Sequence, residues 1–438
     1  MRLVSAAAVV ALAFVASPAS ASPEDIYGYG ARSQAMGGTG AASSQGFEAA
    51  YTNPALLANI REKKLSLGFQ SGAFDLHADG GGLPGRVSYQ PVRGIVIGAD
   101  IPIPFGGVLK DRVGAALAFY TPTDVIVRGR ILYPETPQFP LLPDRSQSLM
   151  VRAGLGVDVG WGARVGAGFA ALAEIAGSVL VATDSTGRVG SRVEDQLVAT
   201  YAPTFGATWD IPFDAPDKWR IGATYRGTLD ARFAVEIDAT KLSSLNLPVF
   251  NIAGVAQYDP AQIAVELAHE RGPWTLAAGG VFKMWSKYPG LIEPTILCPA
   301  DNPDCGALQP TRVAFSNTLV LRVGAERAFV IARGAKAFAR AGAFREPTPV
   351  PSFLPKSQAW DPTTHATVDV PTNFFDADRW AFTFGGGIAM TKPLPPISFD
   401  VWAQYHVMPS RKLDVETTSG ATVSGHALAI GLLAGVTF

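Results

Sequence analysis

Histidine and cysteine are the residue types here whose side chains most often carry out chemistry. The five histidines are scattered, and none forms an H-E-x-x-H motif or accompanies a G-x-S-x-G serine: His77, His269, His365, His406 and His426. A hydrolase that pairs one of them with a distant serine is left open, because such a pair is recognised by geometry. Without a motif, we expect no enzyme activity and no cofactor.

Cys298 and Cys305 stand close together in the segment CPADNPDC. In a chain exported from the cytoplasm, such a pair most often forms a disulfide. A metal site with Asp301 and Asp304 is the alternative, but the segment lacks histidine and a full ligand set. The sequence therefore predicts a disulfide and no metal site.

The composition indicates a surface that does not face water. Charged residues make up 17% of the 438 residues, against about a quarter in typical soluble domains, and apolar residues make up 48%. The net charge of −1 provides no basic footprint, so we expect no nucleic-acid partner. Lipid contact would explain the scarcity of charge.

The N-terminus has the pattern of a secretory signal. Arg2 precedes an apolar run from Leu3 to Val15, and Ala19-Ser20-Ala21 supplies a small-residue cleavage site. We assign residues 1–21 to a signal peptide; a retained anchor helix is the alternative. Because no apolar stretch of about 18 residues follows, a closed β-barrel is the remaining way to cross a membrane.

The rest of the chain has the alternating apolar pattern of barrel strands. Its clearest example is residues 149–159, in which apolar residues alternate with polar or small ones. Fourteen candidate strands follow this pattern: 64–74, 92–101, 111–120, 147–159, 164–177, 197–211, 218–230, 260–269, 273–285, 313–326, 335–344, 379–390, 397–407 and 427–438. The predicted fold is thus all-β: a transmembrane antiparallel barrel of about 14 strands over residues 64–438.

The connections support a membrane barrel over the alternative of a soluble β-sandwich. Short connections alternate with long ones, as in outer-membrane barrels with short periplasmic turns and long outer loops. This alternation predicts that both termini are periplasmic. Trp161, Trp209, Trp219 and Trp274 fall at predicted periplasmic strand ends, and Trp285 and Trp380 at outer ends, as in aromatic girdles.

The predicted lumen carries charged and small residues. The charges are expected to neutralise one another in a rigid network: Arg152, Asp158, Glu174, Arg220, Arg226, Asp230, Lys283, Arg322, Glu326, Arg379 and Asp400. The glycines are expected to make room for a partly apolar lumen: Gly154, Gly156, Gly166, Gly168, Gly222, Gly385 and Gly387.

Residues 22–63 precede the first strand and are predicted to form a hatch inside the lumen. The stretch from Tyr27 to Leu57 is nearly uncharged, has no sustained apolar period and is too apolar for a solvated linker. Gly37-Gly38-Thr39-Gly40 resembles a phosphate-binding turn, but no strand precedes it and no lysine follows. Close backbone packing is the expected role of these glycines.

Several short motifs, in their order along the mature chain, resemble the FadL/TodX family of outer-membrane transporters for long-chain fatty acids and aromatic hydrocarbons. The hatch segments AMGGTGAA and YTNPALL are similar to the family's N-terminal hatch and its Asn-Pro-Ala motif. Later matches are APTFGATWDIPFDAPDKWRIGATYRGTLDARF, NLPVFNIAGVAQYDP, KMWSKY, FREPTPVP and FDADRWAFTFGGG. The Pro-rich loop 121–146 and the cysteine pair depart from the family.

This resemblance implies passive uptake of hydrophobic molecules through a hatch-gated barrel, with lateral release at a kinked early strand. Gly114 is the candidate for that kink. In the hatch, a ligand pocket is expected at Phe47, Tyr51, Asn53, Pro54, Ala55, Leu56 and Leu57, with Asn53-Pro54 as a hinge. For an acidic head group, the candidates are Arg152, Arg226 and Arg322.

The expected partners follow from this assignment. They are fatty acids or hydrocarbons, outer-membrane lipid and lipopolysaccharide, and the barrel assembly machinery, which would read the C-terminal strand ending in Phe438. We expect a monomer in the bacterial outer membrane. The alternative function is that of an accessory barrel, which binds a partner in secretion or surface attachment and transports nothing.

Overall fold

A computed structural model describes residues 23–123, 134–142, 149–183, 189–212, 217–241, 249–288, 292–297, 313–361, 366–392, 394–416 and 420–438. Fourteen strands of these described residues form the barrel: β1 Lys64–Asp79, β2 Val92–Pro102, β3 Val113–Pro122, β4 Met150–Gly160, β5 Ala163–Thr183, β6 Val189–Ile211, β7 Lys218–Arg226, β8 Gln262–Arg271, β9 Trp274–Lys283, β10 Thr318–Ala332, β11 Ala335–Glu346, β12 Arg379–Met390, β13 Ile397–Val415 and β14 Ala421–Thr437. The predicted signal peptide and the predicted disulfide lie outside the described residues.

The barrel closes between its first and last strands. Each strand pairs antiparallel with the next along the chain, and β14 pairs with β1 from Lys64↔Thr437 to Asp79↔Thr422. The predicted all-β fold of about fourteen strands is therefore confirmed.

The alternation of side chains separates the two faces of the wall. On β1, Leu65, Leu67 and Phe69 are exposed, whereas Ser66 and Gln70 are buried in the interior. Successive residues of a strand point to opposite faces, so an alternating sequence gives an apolar outer surface around a polar lumen. Among the described residues, no helix is long and apolar enough to cross a membrane.

The two ends of the barrel differ in their connections. At the short-turn end, β4 and β5 are joined by Trp161 and Gly162, and β10 and β11 by Arg333 and Gly334. At the long-loop end, two segments predicted to be loops, 178–196 and 408–426, are largely continuations of the β5–β6 and β13–β14 hairpins. These extensions continue past the length of about 9–11 residues that a strand needs to cross a bilayer. The sequence therefore indicated loops there.

A branch of the same sheet extends from the wall at the long-loop end. Residues Leu229–Lys241 pair in parallel with the outer half of β5, along the edge that β4 leaves uncovered because β4 begins at Met150. Val249–Asp259 pairs with this strand, and Ile292–Leu297 pairs with Val249–Asp259 in turn. Short strands complete the loops: Gly85–Val87, Phe353–Leu354, Ser357–Asp361 and Ala366–Val370.

The loops at this end pack on an apolar cluster. Residues 134–142 are hydrogen-bonded to residues 373–375, and the rings of Phe139 and Phe375 meet at 6.0 Å. Trp285, in the 3₁₀ turn Trp285–Lys287, is 1% exposed and packs near Tyr258 and Phe315. The prediction that Trp285 belongs to a girdle is wrong, because its strand ends at Lys283 and the Trp285 side chain is buried in the apolar cluster. Trp380 is exposed, as a girdle residue would be.

Residues 23–60 lie inside the barrel as a series of short helical turns, which we call the hatch. They are α1 Pro23–Tyr27, α2 Ala31–Ala35, the 3₁₀ turn Gly46–Glu48, α3 Ala49–Thr52 and the 3₁₀ turn Pro54–Asn59; a further 3₁₀ turn, Gly107–Leu109, lies between β2 and β3. None of these helices is long enough to be stable alone. The surrounding wall therefore holds the hatch in shape.

Candidate functional site

The N-terminal segment of the hatch (residues 23–35) and the turn after it are held by polar side chains of the wall. Glu266 on β8 accepts hydrogen bonds from the backbone N–H groups of Gly40, Ala41 and Ala42, at 2.6 to 3.1 Å, and from Ser43 Oγ at 2.7 Å. One carboxylate thus accepts the hydrogen bonds of these successive backbone N–H groups of the turn, as an anion does when backbone N–H groups converge on it.

An ion-pair chain fixes α2 to three strands. Arg32 of the hatch lies 3.0 Å from Glu326 on β10, which also accepts from Arg340 on β11 at 2.6 Å. Arg340 in turn donates to Asp400 on β13 at 2.6 Å. Two cations and two anions alternate, so this buried chain is neutral; Glu326 and Asp400 were predicted members of the lumen charges, and Arg32 and Arg340 were not.

Neutral side chains hold the same segment through its backbone. Thr383 Oγ on β12 donates to the carbonyl of Ala35 and accepts from Gly37 N–H, both at 2.8 Å. Gln404 Nε2 on β13 donates to the carbonyls of Tyr27 and Gln34. These bonds satisfy backbone groups that helices this short leave unpaired.

Helix α1 occupies the long-loop half of the lumen. Asp25 receives hydrogen bonds from Gln262 Nε2 at 2.7 Å and Lys283 Nζ at 2.9 Å, at the long-loop ends of β8 and β9. The loop pattern had predicted that both termini lie at the opposite, periplasmic end. That pattern concerns only where β1 begins and β14 ends, and from Lys64 the hatch runs toward the long-loop end. The location of the termini remains a prediction.

The C-terminal segment of the hatch (residues 46–60) is held by apolar contacts. Phe47, Tyr51, Leu56 and Leu57 are at most 5% exposed and belong to one cluster with residues of β2 and β3. The ring of Tyr29 meets those of Phe47 and Tyr51 edge-on at 5.7 and 6.1 Å. The predicted pocket residues are thus together, but they form a packed core in this structure.

Asn53, the predicted hinge, connects the hatch to the wall at several points. Its Nδ2 donates to the carbonyls of Ala41 at 2.6 Å, Ala207 at 3.1 Å and Ala223 at 3.3 Å. Its Oδ1 accepts from Ala55 N–H and so begins the turn that Pro54 leads. Asn53 is fully buried. This geometry describes a fixed junction between hatch, β6 and β7, and hinge motion remains a prediction.

Glycines of the wall form the surface on which the hatch rests. An added Cβ would lie 2.3 Å from Phe47 at Gly98, 2.3 Å from Pro54 at Gly166 and 2.4 Å from Met36 at Gly324. Other wall glycines meet the hatch as closely: Gly114, Gly156, Gly206, Gly222, Gly342 and Gly385. The sequence indicated that lumen glycines make room for a partly apolar lumen. In the structure, the hatch backbone fills much of that room.

The three head-group candidates also contact the hatch. The guanidinium carbons of Arg152 and Arg226 lie over the ring of Tyr51, at 4.6 and 4.4 Å from its centre. Arg226 donates to the Tyr51 carbonyl at 3.1 Å, and Arg322 donates to the Gly38 carbonyl at 2.8 Å. The structure therefore brings Arg152 and Arg226 together around Tyr51, with Arg322 beside the Gly38 turn.

Gly114, the candidate for a lateral opening, lies in an unbroken part of the wall. The register of β3 with β2 runs without a shift from Gly94↔Pro122 to Pro102↔Gly114, and that with β4 is also regular. A Cβ at Gly114 would lie 2.1 Å from the Leu57 carbonyl oxygen. In this structure the missing side chain of Gly114 lets the hatch backbone approach the wall. A kink at this position remains a prediction.

The spaces around the hatch are small in its middle and larger at the short-turn end. Two cavities that adjoin Tyr51 and Arg226 have volumes of ≈ 20 Å³ each, about enough for one water molecule. A polar space of ≈ 480 Å³ lies at the short-turn end, bordered by Ser43, Gln45 and Arg61. Neither of these two small cavities has room for an acyl chain.

Glu48 connects the two segments of the hatch. Its carboxylate accepts from Ser33 N–H at 3.2 Å and Gln45 N–H at 3.1 Å, and it lies against Gly30. Burial raises the pKa of Glu48 to about 7, although the positive charges of Arg32 and Arg340 and the two hydrogen bonds lower it. The protonation of this carboxyl therefore changes near neutral pH.

Sequence reasoning missed most residues that hold the hatch, among them Glu266, Thr383, Gln404 and Asp25. The alternation of the strands predicts that the side chains of the first three face the lumen. It does not predict which hatch residues they contact. Among the described residues, no group of His, Cys, Asp and Glu is arranged to hold a metal ion.

Together, the closed wall, the apolar outer surface and the interior hatch define a transmembrane β-barrel whose lumen is closed by its own N-terminal residues. No sequence-family model and no curated protein sequence matches the chain.

Solved structures, however, match nearly all of it. A FadL homologue of Pseudomonas aeruginosa has 16% identity and a TM-score of 0.57, over 96% of this chain and 99% of that one. The toluene transporter TodX of P. putida has 15% identity and a TM-score of 0.55, over 94% and 99%. The toluene transporter TbuX of Ralstonia pickettii has 16% identity and a TM-score of 0.51, over 94% and 99%. The chain therefore has the fold of the FadL/TodX barrels.

Proposed function

We propose that this protein passively takes up hydrophobic molecules, such as long-chain fatty acids or related hydrocarbons, across a bacterial outer membrane. The observation that carries the proposal is a barrel closed by a hatch, matched over almost its whole length by a FadL homologue and by toluene transporters. An open porin would need a continuous aqueous lumen, which the hatch packed around Tyr51 does not leave. The short-turn end would face the periplasm.

Burial of the cargo would supply ample binding energy. A sixteen-carbon tail gains roughly 12 kcal/mol on full burial, at ~0.8 kcal/mol per CH₂. Release is therefore the harder step, and a displaceable hatch would solve it by removing the walls of the pocket. In this proposal, Phe47, Tyr51, Leu56 and Leu57 form the floor of the pocket, next to the turn Asn53-Pro54-Ala55, and the cargo takes space that the N-terminal segment of the hatch leaves.

An acidic head group would bind beside Tyr51. Arg152 and Arg226 are both buried over its ring, and Arg322 is buried beside the Gly38 turn. A carboxylate could replace the hatch carbonyls that Arg226 and Arg322 now contact. Lateral release would require the hatch to leave Gly114, after which β3 could bend at the unfilled position.

Deletion of residues 22–57 tests the function. The truncated barrel should lose high-affinity binding of labelled oleate and should conduct ions, because its lumen is then open. Resistance of the barrel to SDS without heating is the control for assembly. Unchanged oleate binding by the assembled, truncated barrel would contradict a hatch-dependent pocket.

Mass spectrometry of the full chain extracted in mild detergent tests the class of ligand. Recovery of bound fatty acid or hydrocarbon supports uptake. Several preparations that carry no hydrophobic molecule, together with a copurifying protein, would instead favour the accessory barrel.

A further inference from the structure

Two carboxylates of helix α1 lie among buried cations of the wall. Asp25 is 3% exposed and Glu24 is 2% exposed. Asp25 Oδ2 receives a hydrogen bond from Lys283 Nζ at 2.9 Å, and Lys283 is fully buried. Glu24 Oε1 lies 4.0 Å from Arg152 Nε. The hatch thus presents acidic groups to the cations at the long-loop half of the lumen.

The pair of Asp25 and Lys283 belongs to a balanced group of charges. Lys283 also donates to Glu346, and Glu346 accepts from Arg379. Two carboxylates and two cations are therefore joined by direct hydrogen bonds in the described part of the lumen. If α1 left alone, Glu346 would face two buried cations, and a buried charge that loses its partner is strongly unfavourable.

The departure of α1 is consequently coupled to the arrival of another anion. A carboxylate that took the place of Asp25 would accept the same hydrogen bonds from Lys283 and Gln262 and would keep the group neutral. A neutral hydrocarbon could not do so, because it has neither the charge nor an acceptor atom.

We propose that Asp25 is an internal substitute for the acidic head group of the cargo, and that exchange between the two releases the N-terminal segment of the hatch. The cargo is then a long-chain carboxylic acid rather than a neutral hydrocarbon. This inference rests on the proposed function and specifies its substrate class. Lys283 becomes a specificity-determining residue, although it was not among the three arginines proposed for the head group.

The exchange can be tested on the full chain in nanodiscs with palmitate and its uncharged methyl ester. The acid should bind about 10- to 100-fold more tightly, as expected for hydrogen bonds to a charged group. Hydrogen exchange followed by mass spectrometry should show faster exchange in residues 23–35 with the acid than with the ester. Residues 46–60 should change less.

Two variants separate the exchange from simple binding. Asp25→Asn should strengthen palmitate binding about tenfold and speed exchange in residues 23–35 without ligand, since the internal competitor is weakened. Lys283→Met should remove the preference for acid over ester while ester binding persists. Lys356→Met is the matched control, because Lys356 pairs with Asp369 in an exposed loop; it should keep the preference.

The outcomes distinguish this inference from the proposed function. If the ester binds as tightly as the acid, or if Asp25→Asn leaves palmitate affinity unchanged, the exchange is refuted and hydrophobic uptake stands. If neither palmitate nor its ester binds to the wild-type protein, both the exchange and the proposed uptake fall.

Discussion

The two segments of the hatch are held by different forces. Residues 23–35 are fixed by charges and hydrogen bonds, such as Asp25 with Lys283 and Arg32 with Glu326. Residues 46–60 are fixed mainly by apolar burial and by backbone pressed against wall glycines, such as Gly166, with the hydrogen bonds of Asn53 in addition. A charge can be exchanged for another charge of the same sign, whereas a fitted apolar contact can only be lost. The N-terminal segment is therefore the better candidate for the moving part.

The largest expected effect comes from filling a wall glycine under the C-terminal segment. Gly166→Val should destabilise the protein by about 3 kcal/mol or more, because its side chain would overlap the backbone of Pro54 and Ala55. The midpoint of urea unfolding in lipid measures this. Gly280→Val is the control, since a Cβ there makes only an ordinary contact with Leu319 at 3.4 Å. Equal midpoints for the two variants would mean that the C-terminal segment also moves freely.

Removal of the Asn53 side chain should have the next largest effect. Asn53→Ala leaves the Ala55 N–H and the carbonyls of Ala41 and Ala207 without this partner, at a cost of about 2–3 kcal/mol. Asn59→Ala, at an exposed position of the same hatch segment, should stay within about 0.5 kcal/mol of wild type. If Asn53 were a hinge with weak contacts, the two variants would unfold alike.

The junction between the segments should respond to pH with a smaller effect. The pKa of Glu48 is raised to about 7, so folding favours its protonated form. The stability it contributes is present below its unfolded pKa near 4.5 and is lost as pH rises through 7. Between pH 5 and 8, wild type should lose roughly 1–3 kcal/mol relative to Glu48→Gln. Parallel unfolding profiles of the two proteins across this range would contradict the assignment.

The strands were predictable because each is a local pattern. Alternation such as Leu65, Leu67 and Phe69 against Ser66 and Gln70 fixes both a strand and its register toward lipid. The hatch was predictable as a segment, since a nearly uncharged stretch without the apolar periodicity of a helix or strand must be enclosed by other parts of the protein. Its internal helices were not, because helical turns of three to six residues are stable only inside the wall.

The site was predictable by residue type but not by partner. The alternation of residues along each strand predicted which cations face the lumen. Lys283 and Asp25, however, are 258 positions apart in the chain. Nothing local to Asp25 indicates that pairing. The same holds for Glu266, which binds a hatch turn more than 220 positions away. The lumen glycines were correctly placed on the inner face, but their purpose depended on the hatch backbone that covers them.

The seam between β1 and β14 has a consequence for the order of assembly. It is continuous from Lys64↔Thr437 to Asp79↔Thr422, and the hatch that precedes β1 fills the space behind it. A finished cylinder offers no side entrance through which glycines and hatch backbone could be brought to within contact distance. We therefore expect the hatch to settle against the growing wall while the seam is still open, so that the last strand pairing encloses a core that has already formed.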